Sequence, residues 1–404
     1  MLLLLVASGM IISLCMGMRQ SMGLFMRPVT VDLGVSVGTF GFVLALQNIV
    51  WGAVQPFIGR LADRHGPRPV LLGTSISYAV GLLVMASSSN ALALDLGGFL
   101  TGIGISGTAF GVLMGVVARA TPLARRSQTV GLVAAAGSLG TMLIAPLGQA
   151  LIDGHGWRAA LVVFAGIAAF MALLSFAIRD HAPAADALPP AVPQSVGSAL
   201  REMAKHRGYV AMTAAYFACG FQLIFLTTHL PQYLEICGVA PGVSAKALAL
   251  IGLFNTVGTW CFGQLGARYS QKRLLALIYL LRTAAICVFL LLPVTADTTL
   301  VFAAAIGFLW LGVAPLVTVL IGRVCGMEHF GVMYGIVFLS HQLGSFFGAW
   351  MGGLVFDLTG AYSIGWAALI VIGLLAFTLQ WTMDDRPRPP SRREAGPAPV
   401  PAAA

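Results

Sequence analysis

Two arginines and one histidine stand inside apolar runs long enough to cross a bilayer: Arg19, Arg282 and His341. A charged side chain at the centre of a spanning helix costs about 2.5–3.5 kcal/mol on insertion scales, so its retention marks a functional candidate. Acids are nearly missing from the same runs, with Asp95 and Glu235 close to their ends. A cation pathway or a carboxylate proton relay requires buried acids. Buried arginine instead offers a permanently charged, forked donor set that suits a carboxylate or another anion. The ligand these residues point to is therefore anionic. His341 shares one helical face with Tyr334, Ser345 and Gly348. It could bind that anion, carry a proton, since histidine titrates near neutrality, or satisfy a bond between helices. Gln20, Gln47, Tyr216, Asn255 and Trp310 are further candidates for the wall of a cavity. Each could equally hold one helix to another or fill space. No nucleotide-binding loop, H-E-x-x-H or nucleophile elbow occurs, and the six cysteines form no C-x-x-C pair. Catalysis, a metal site and a cofactor are not expected.

The elements that position these residues follow from composition. The chain of 404 residues is 58% hydrophobic and 9% charged, with a mean hydropathy of +0.90, where soluble domains carry about 25% charged residues. Long continuous apolar runs, not the alternation of a barrel strand, dominate. The fold class is an all-α integral membrane protein. The first run lacks the basic segment and cleavage site of a signal peptide and reads as a span, beginning abruptly enough that the start codon could lie upstream. Twelve spans are predicted: α1 at 2–27, α2 at 37–61, α3 at 69–88, α4 at 91–117, α5 at 127–152, α6 at 157–178, α7 at 208–233, α8 at 245–268, α9 at 272–293, α10 at 297–322, α11 at 331–356 and α12 at 361–381. The domains are an N-terminal bundle over 1–178, a linker over 179–207, a C-terminal bundle over 208–382, and a Pro- and Arg-rich tail over 383–404 expected to be disordered.

Lysines and arginines collect on one side of this arrangement. Arg60, Arg64 and Arg68, Arg119, Arg125 and Arg126, Arg179 to Arg207, Arg268, Lys272 and Arg273, Arg323 and the tail all fall there; Arg27, Arg158 and Lys246 fall opposite. The positive-inside rule then puts both termini in the cytoplasm. The net charge of +9 reflects this bias towards one membrane face, and nucleic acid is not an expected partner.

The halves are copies. A constant shift of 204 carries Gly59 to Gly263, Leu61 to Leu265, Arg64 to Arg268, Arg119 to Arg323, Gly131 to Gly335, Gly140 to Gly344, Asp153 to Asp357 and Gly156 to Gly360. Between α2 and α3 the chain reads Gly59-Arg60-Leu61-Ala62-Asp63-Arg64-His65-Gly66-Pro67-Arg68, a tight charged turn. Gly59, Leu61, Asp63, Arg64, Gly66 and Arg68 match the G-x-L-a-D-r-x-G-r-[KR] loop, so the chain resembles the major facilitator superfamily over about residues 1–382. That resemblance implies two parallel six-helix repeats holding substrate near the midplane, with α1, α4, α7 and α10 lining the cavity. It makes Gly59, Asp63, Arg64, Gly66 and Arg68 gating residues. Asp63 would face the start of α11 near Phe330, where a helix N-terminus and a carboxylate attract by about 0.3–1 kcal/mol. The second copy has Ala267 in place of the acid.

The α1 run Gly17-Met18-Arg19-Gln20-Ser21-Met22-Gly23-Leu24-Phe25 and the α11 run His341-Gln342-Leu343-Gly344-Ser345-Phe346-Phe347-Gly348 resemble bacterial relatives of the monocarboxylate and oxalate porters. Those porters carry a lysine near the place of Arg19, and an α8 arginine that this chain lacks. The resemblance implies a secondary transporter, working by alternating access as a monomer in the inner membrane. Arg19 would anchor a small organic anion, driven by a proton, with His341 as the coupling candidate, or by the anion gradient. Arg282, on a scaffold helix, is divided between substrate binding and structural pairing. A multidrug or metabolite exporter of the same fold is the alternative, and a non-transporting membrane sensor the remote one.

Overall fold

A computed structural model describes residues 2–178, 201, 203–325 and 330–386, apart from the side chains at 123, 124, 126–128, 134 and 330. The expected linker therefore falls outside the described residues except at 201 and 203–207, and the expected tail except at 383–386. The described residues are helical throughout the bundle and form no strand.

Eleven helical runs are long and apolar enough to cross a membrane. In chain order α1 is Leu2–Leu33, α2 Val37–His65, α3 Pro67–Ala86 and α4 Ala91–Ala120. Leu123–Leu174 is a single run that Gly156 divides with φ 81° and ψ 164°; α5 precedes this break and α6 follows it, which brings the spans to twelve. Then come α7 at Arg207–Ile236, α8 at Pro241–Arg268, α9 at Gln271–Leu291, α10 at Ala296–Cys325, α11 at Phe330–Thr359 and α12 at Ser363–Thr382.

Local chemistry sets the helix starts. Ser36 Oγ accepts from Thr39 N at 3.1 Å to open α2, and Asn90 Oδ1 accepts from Ala93 N at 2.9 Å to open α4, each satisfying an otherwise orphaned amide. Nothing between Gly59 and His65 breaks a helix, so α2 continues four residues past its predicted end. The chain turns only at Gly66, with φ 83°, and Pro67 then starts α3. Asp63 and Arg64 thus ride on the last turn of α2 and not in a loop.

The internal copy is legible in the packing. A Cβ on Gly140 of α5 would overlap the Ser13 carbonyl of α1, and one on Gly344 of α11 would overlap the Phe217 carbonyl of α7. Both members of these two pairs are 204 residues apart. Gly360, with φ 68°, separates α11 from α12 as Gly156 separates α5 from α6. Small residues let these helices approach to backbone contact.

Three of the four helices expected to line a cavity are broken. α1 is interrupted by a 3₁₀ turn at Met22–Phe25, α4 at Ala109, and α10 between Phe308 and Val313. Irregular backbone at membrane depth persists only where protein buries it or a cavity borders it, and the α10 break is bonded by Arg282.

The two halves are bonded at the arginine-poor end and the middle. Arg27 pairs with Glu235 at 2.6 Å, and Asp357 of α11 accepts from Val37 N and Gly38 N at 3.0 and 2.7 Å, capping α2. Deeper in, Asn255 donates to Ser138 at 2.8 Å, and Gln342 to the Asn48 carbonyl at 3.0 Å. At the arginine-rich end the positions beside Gly59, Gly131, Gly263, Gly331 and Gly335 are open.

Candidate functional site

Arg19 ends the first helical segment of α1, immediately before the break. Its guanidinium donates to Asn48 Oδ1 of α2 and lies 4.9 Å from the centre of the Trp51 ring. Asn48 is held in turn, its amide donating to Leu44 O at 2.7 Å, and Trp51 donates to Gln55 at 2.8 Å while meeting Phe338 of α11 edge-on. Stacking and one hydrogen bond therefore orient the guanidinium. Its Nε is buried and without a partner, and no carboxylate pairs with it among the described residues. Arg19, Gln47 and Asn48 line a small polar cavity of about 10 Å³ with Thr227 and Thr228 of α7, room for about one water. Gly23, in the α1 break, abuts the Thr227 carbonyl. A cation at the seam between the two halves, one edge unfilled, is chemically an anion receptor.

His341 of α11 packs on Tyr216 of α7, ring centres 4.9 Å apart, and stacks on Phe338. Its Nδ1 is 3.1 Å from Gln342 Oε1. The same Gln342 bonds the Asn48 carbonyl, so His341 and Arg19 are linked through two side chains. The structure thus brings Arg19, Gln47, Tyr216 and His341 to one region, while Gln20 is buried beside Arg19 in sequence but is absent from the cavity wall.

Arg282 has a different setting. It is fully buried on α9 and donates to the Leu309 and Trp310 carbonyls at 2.8 and 2.9 Å and to Gln222 Oε1 at 3.3 Å. These carbonyls belong to the unwound part of α10, where no helical amide can reach them. The guanidinium takes the place of the missing helical bonds, which favours the structural side of the division drawn from sequence. Asn255 is similarly committed: besides Ser138, it accepts from Leu311 N at 2.9 Å and from Thr259 at 3.1 Å. Trp310 is buried, its carbonyl accepting from Arg282 and its amide donating to the Gly307 carbonyl at 3.0 Å.

The gating residues lie at the arginine-rich end. Asp63 pairs with Arg119 of α4 at 3.4 Å and is 68% exposed. It therefore bonds within its own half in this conformer; the Phe330 side chain it was expected to approach lies outside the described residues. Arg68 donates to the Phe176 carbonyl at 2.6 Å and stacks on that ring, tying α3 to the end of α6. Gly66 makes the turn, and Arg64 and Gly59 border open space.

Sequence reasoning assigned no role to Asn48 or Asp357. Asn48 belongs to the polar stripe of Gln47, Trp51 and Gln55, and a buried amide in a span was signal enough. Asp357 stands out in sequence as the repeat partner of Asp153 and within Asp357-x-x-Gly360-x-Tyr362; its capping of α2 needs a fold to be seen.

The Major Facilitator Superfamily family model matches residues 8–349. Over 369 residues the chain is 26% identical to an uncharacterized MFS-type transporter, YcxA, of Bacillus subtilis, covering 89% of each. It is 23% identical over 377 residues to the oxalate:formate antiporter of Oxalobacter formigenes, with 92% of this chain and 88% of that protein covered. It is also 25% identical over 369 residues to monocarboxylate transporter 13 of Rattus norvegicus, with 89% and 83% covered. Among solved structures, a bacterial homolog of the human lysosomal transporter Spinster superposes with a TM-score of 0.78 over 96% of this chain and 98% of that one, at 14% identity.

Proposed function

This chain belongs to the Major Facilitator Superfamily, and we infer that within it the protein carries a small organic anion, a carboxylate, by alternating access across the inner membrane. The observation that carries this reading is Arg19: a fixed cation in a cavity between the halves, oriented by Asn48 and Trp51, with an unfilled donor and no acidic partner. Burying such a charge unpaired is costly, and an anionic cargo offsets that cost on each cycle. The relatives named as oxalate:formate and monocarboxylate transporters support the same class of cargo. With the arginine-rich end in the cytoplasm, the conformer described here, bonded at the opposite end, faces inward and both termini are cytoplasmic.

His341 is the proton-coupling group in this reading. Gln342 and Asn48 link the imidazole to Arg19, so a carboxylate bound at Arg19 would stabilise a proton taken up at His341. Anion and proton then favour one another's binding reciprocally, which is the thermodynamic basis of symport.

Counterflow in proteoliposomes preloaded with lactate, pyruvate, oxalate or larger carboxylates tests the cargo class. Accumulation of labelled carboxylate is the expected result; extrusion of neutral or cationic drugs with no carboxylate flux would instead make the protein an exporter. In the same vesicles His341→Ala is expected to keep anion counterflow and to lose at least about tenfold of the uptake driven by an inward proton gradient, as for loss of a positioned proton-transfer group. An unchanged response to the gradient would remove His341 from the coupling.

A further inference from the structure

In the first repeat an acid on α2, Asp63, holds Arg119 at the end of α4. The shift of 204 residues carries Arg119 to Arg323, at the end of α10, but carries Asp63 to Ala267, which cannot hold it. Arg323 is nevertheless paired: Asp385, three residues beyond the end of α12, lies 3.5 Å from it. The same carboxylate lies 3.3 Å from Lys272 at the start of α9. Lys272 is the copy of Arg68, and the two do the same work. Arg68 donates to a carbonyl at the end of α6, and Lys272 donates to the Met383 carbonyl just past α12, at 3.0 Å.

We propose that Asp385 replaces the acid missing from the second repeat, so that the segment after α12 is the charge lock that ties the lower part of α10 to α9. Three further observations seat the segment. Met383 is buried, the Asp384 carbonyl abuts Gly208 at the start of α7, and Asp385 is 20% exposed where Asp63 is 68%. Arg323 itself is more exposed than Arg119, 48% against 35%, so what distinguishes the tail lock is the less exposed acid and its second cation, Lys272. It acts where one is needed, because α10 is broken between Phe308 and Val313. Val313–Cys325 is joined to the rest of α10 through unwound chain, and the pair at Arg323 fixes its far end. Residues 383–386, expected from sequence to open a disordered tail, are in this account part of the gate.

The inference rests on the repeat and these contacts, not on the identity of the cargo, and its test needs no substrate. Cys325 is buried two residues beyond Arg323. Its rate of modification by N-ethylmaleimide, followed by peptide mass spectrometry on the full chain in detergent, reports release of the end of α10. Asp385→Asn is expected to speed this labelling roughly three- to tenfold, the scale of two partly exposed ion pairs. Asp384→Asn, whose side chain among the described residues reaches Arg386 alone, should leave it unchanged. Ala267→Asp should slow the labelling of Asp385→Asn back towards the parent rate, yet do nothing for Arg323→Gln, which has lost the recipient cation. Should Asp385→Asn yield no folded protein, Arg323→Gln carries the same expectation of faster labelling. Parental labelling in either variant, or rescue of both by Ala267→Asp, would overturn the proposal.

Discussion

Arg19→Gln should lose carboxylate transport almost completely while leaving the protein folded. The guanidinium is the only charged donor lining the cavity at the seam, and its orienting contacts to Asn48 and Trp51 place it for a cargo that arrives from one side. Truncating one partner of a buried, hydrogen-bonded charge pair costs about 2–5 kcal/mol. At about 1.4 kcal/mol per factor of ten, the apparent affinity should fall by roughly thirtyfold to several thousandfold. Glutamine keeps an amide donor but is shorter and gives up the guanidinium stacking on Trp51, so part of the loss comes from that contact. Arg19→Lys should fall between the two, because lysine keeps the charge but not the fork. Asn48→Ala should weaken binding less than Arg19→Gln, since it frees the guanidinium without removing it. Initial-rate uptake against concentration separates these cases. Unchanged affinity in Arg19→Gln would end the anchoring account.

Arg282→Met should act on stability and not on affinity. Methionine fills the space but leaves the Leu309 and Trp310 carbonyls and Gln222 Oε1 without their donors. Each buried group left unsatisfied costs about 1–3 kcal/mol. Relief from burying a cation returns part of that, because the guanidinium has no acidic partner among the described residues to balance it. A net loss of about 2–4 kcal/mol is expected from two orphaned carbonyls, read as a clear fall in the detergent unfolding temperature. The fraction that remains folded should bind anion within about threefold of the parent, less than 1 kcal/mol. A large loss of affinity at unchanged unfolding temperature would move Arg282 into the binding site.

The two arginines show where sequence sufficed and where it did not. Arg19 was identifiable because a charge in a span is rare and its helix could be numbered from the apolar runs. The repeat was identifiable because glycines at helix contacts and turns tolerate no replacement: Gly140 and Gly344 meet carbonyls, and Gly156 and Gly360 need positive φ. Arg282 stayed divided between substrate binding and structural pairing, because nothing in Leu309-Trp310-Leu311-Gly312 announces that α10 unwinds there and frees two carbonyls for it. The break in α1 was hidden likewise, since no proline marks Ser21–Phe25 and the run continues as helix on both sides. Asn255 was left between cavity wall and helix contact, and in the structure it bonds α8 to α5 and α10; an amide's type does not reveal its partners. Asp385 lay in a segment whose composition promised disorder, and its value depends on a gap, Ala267, in a different turn.

The central claim is that Arg19 recognises the charge of the cargo, and one comparison reaches it without relying on transport. Equilibrium binding of the transported carboxylate and of its neutral amide, at constant ionic strength, should differ by at least about a hundredfold in the parent protein, some 2.8 kcal/mol. In Arg19→Gln that preference should shrink to within a few-fold, because the amide never used the charge and loses little. If Arg19→Gln still prefers the carboxylate by a hundredfold, the charge is read elsewhere in the protein and the account is wrong.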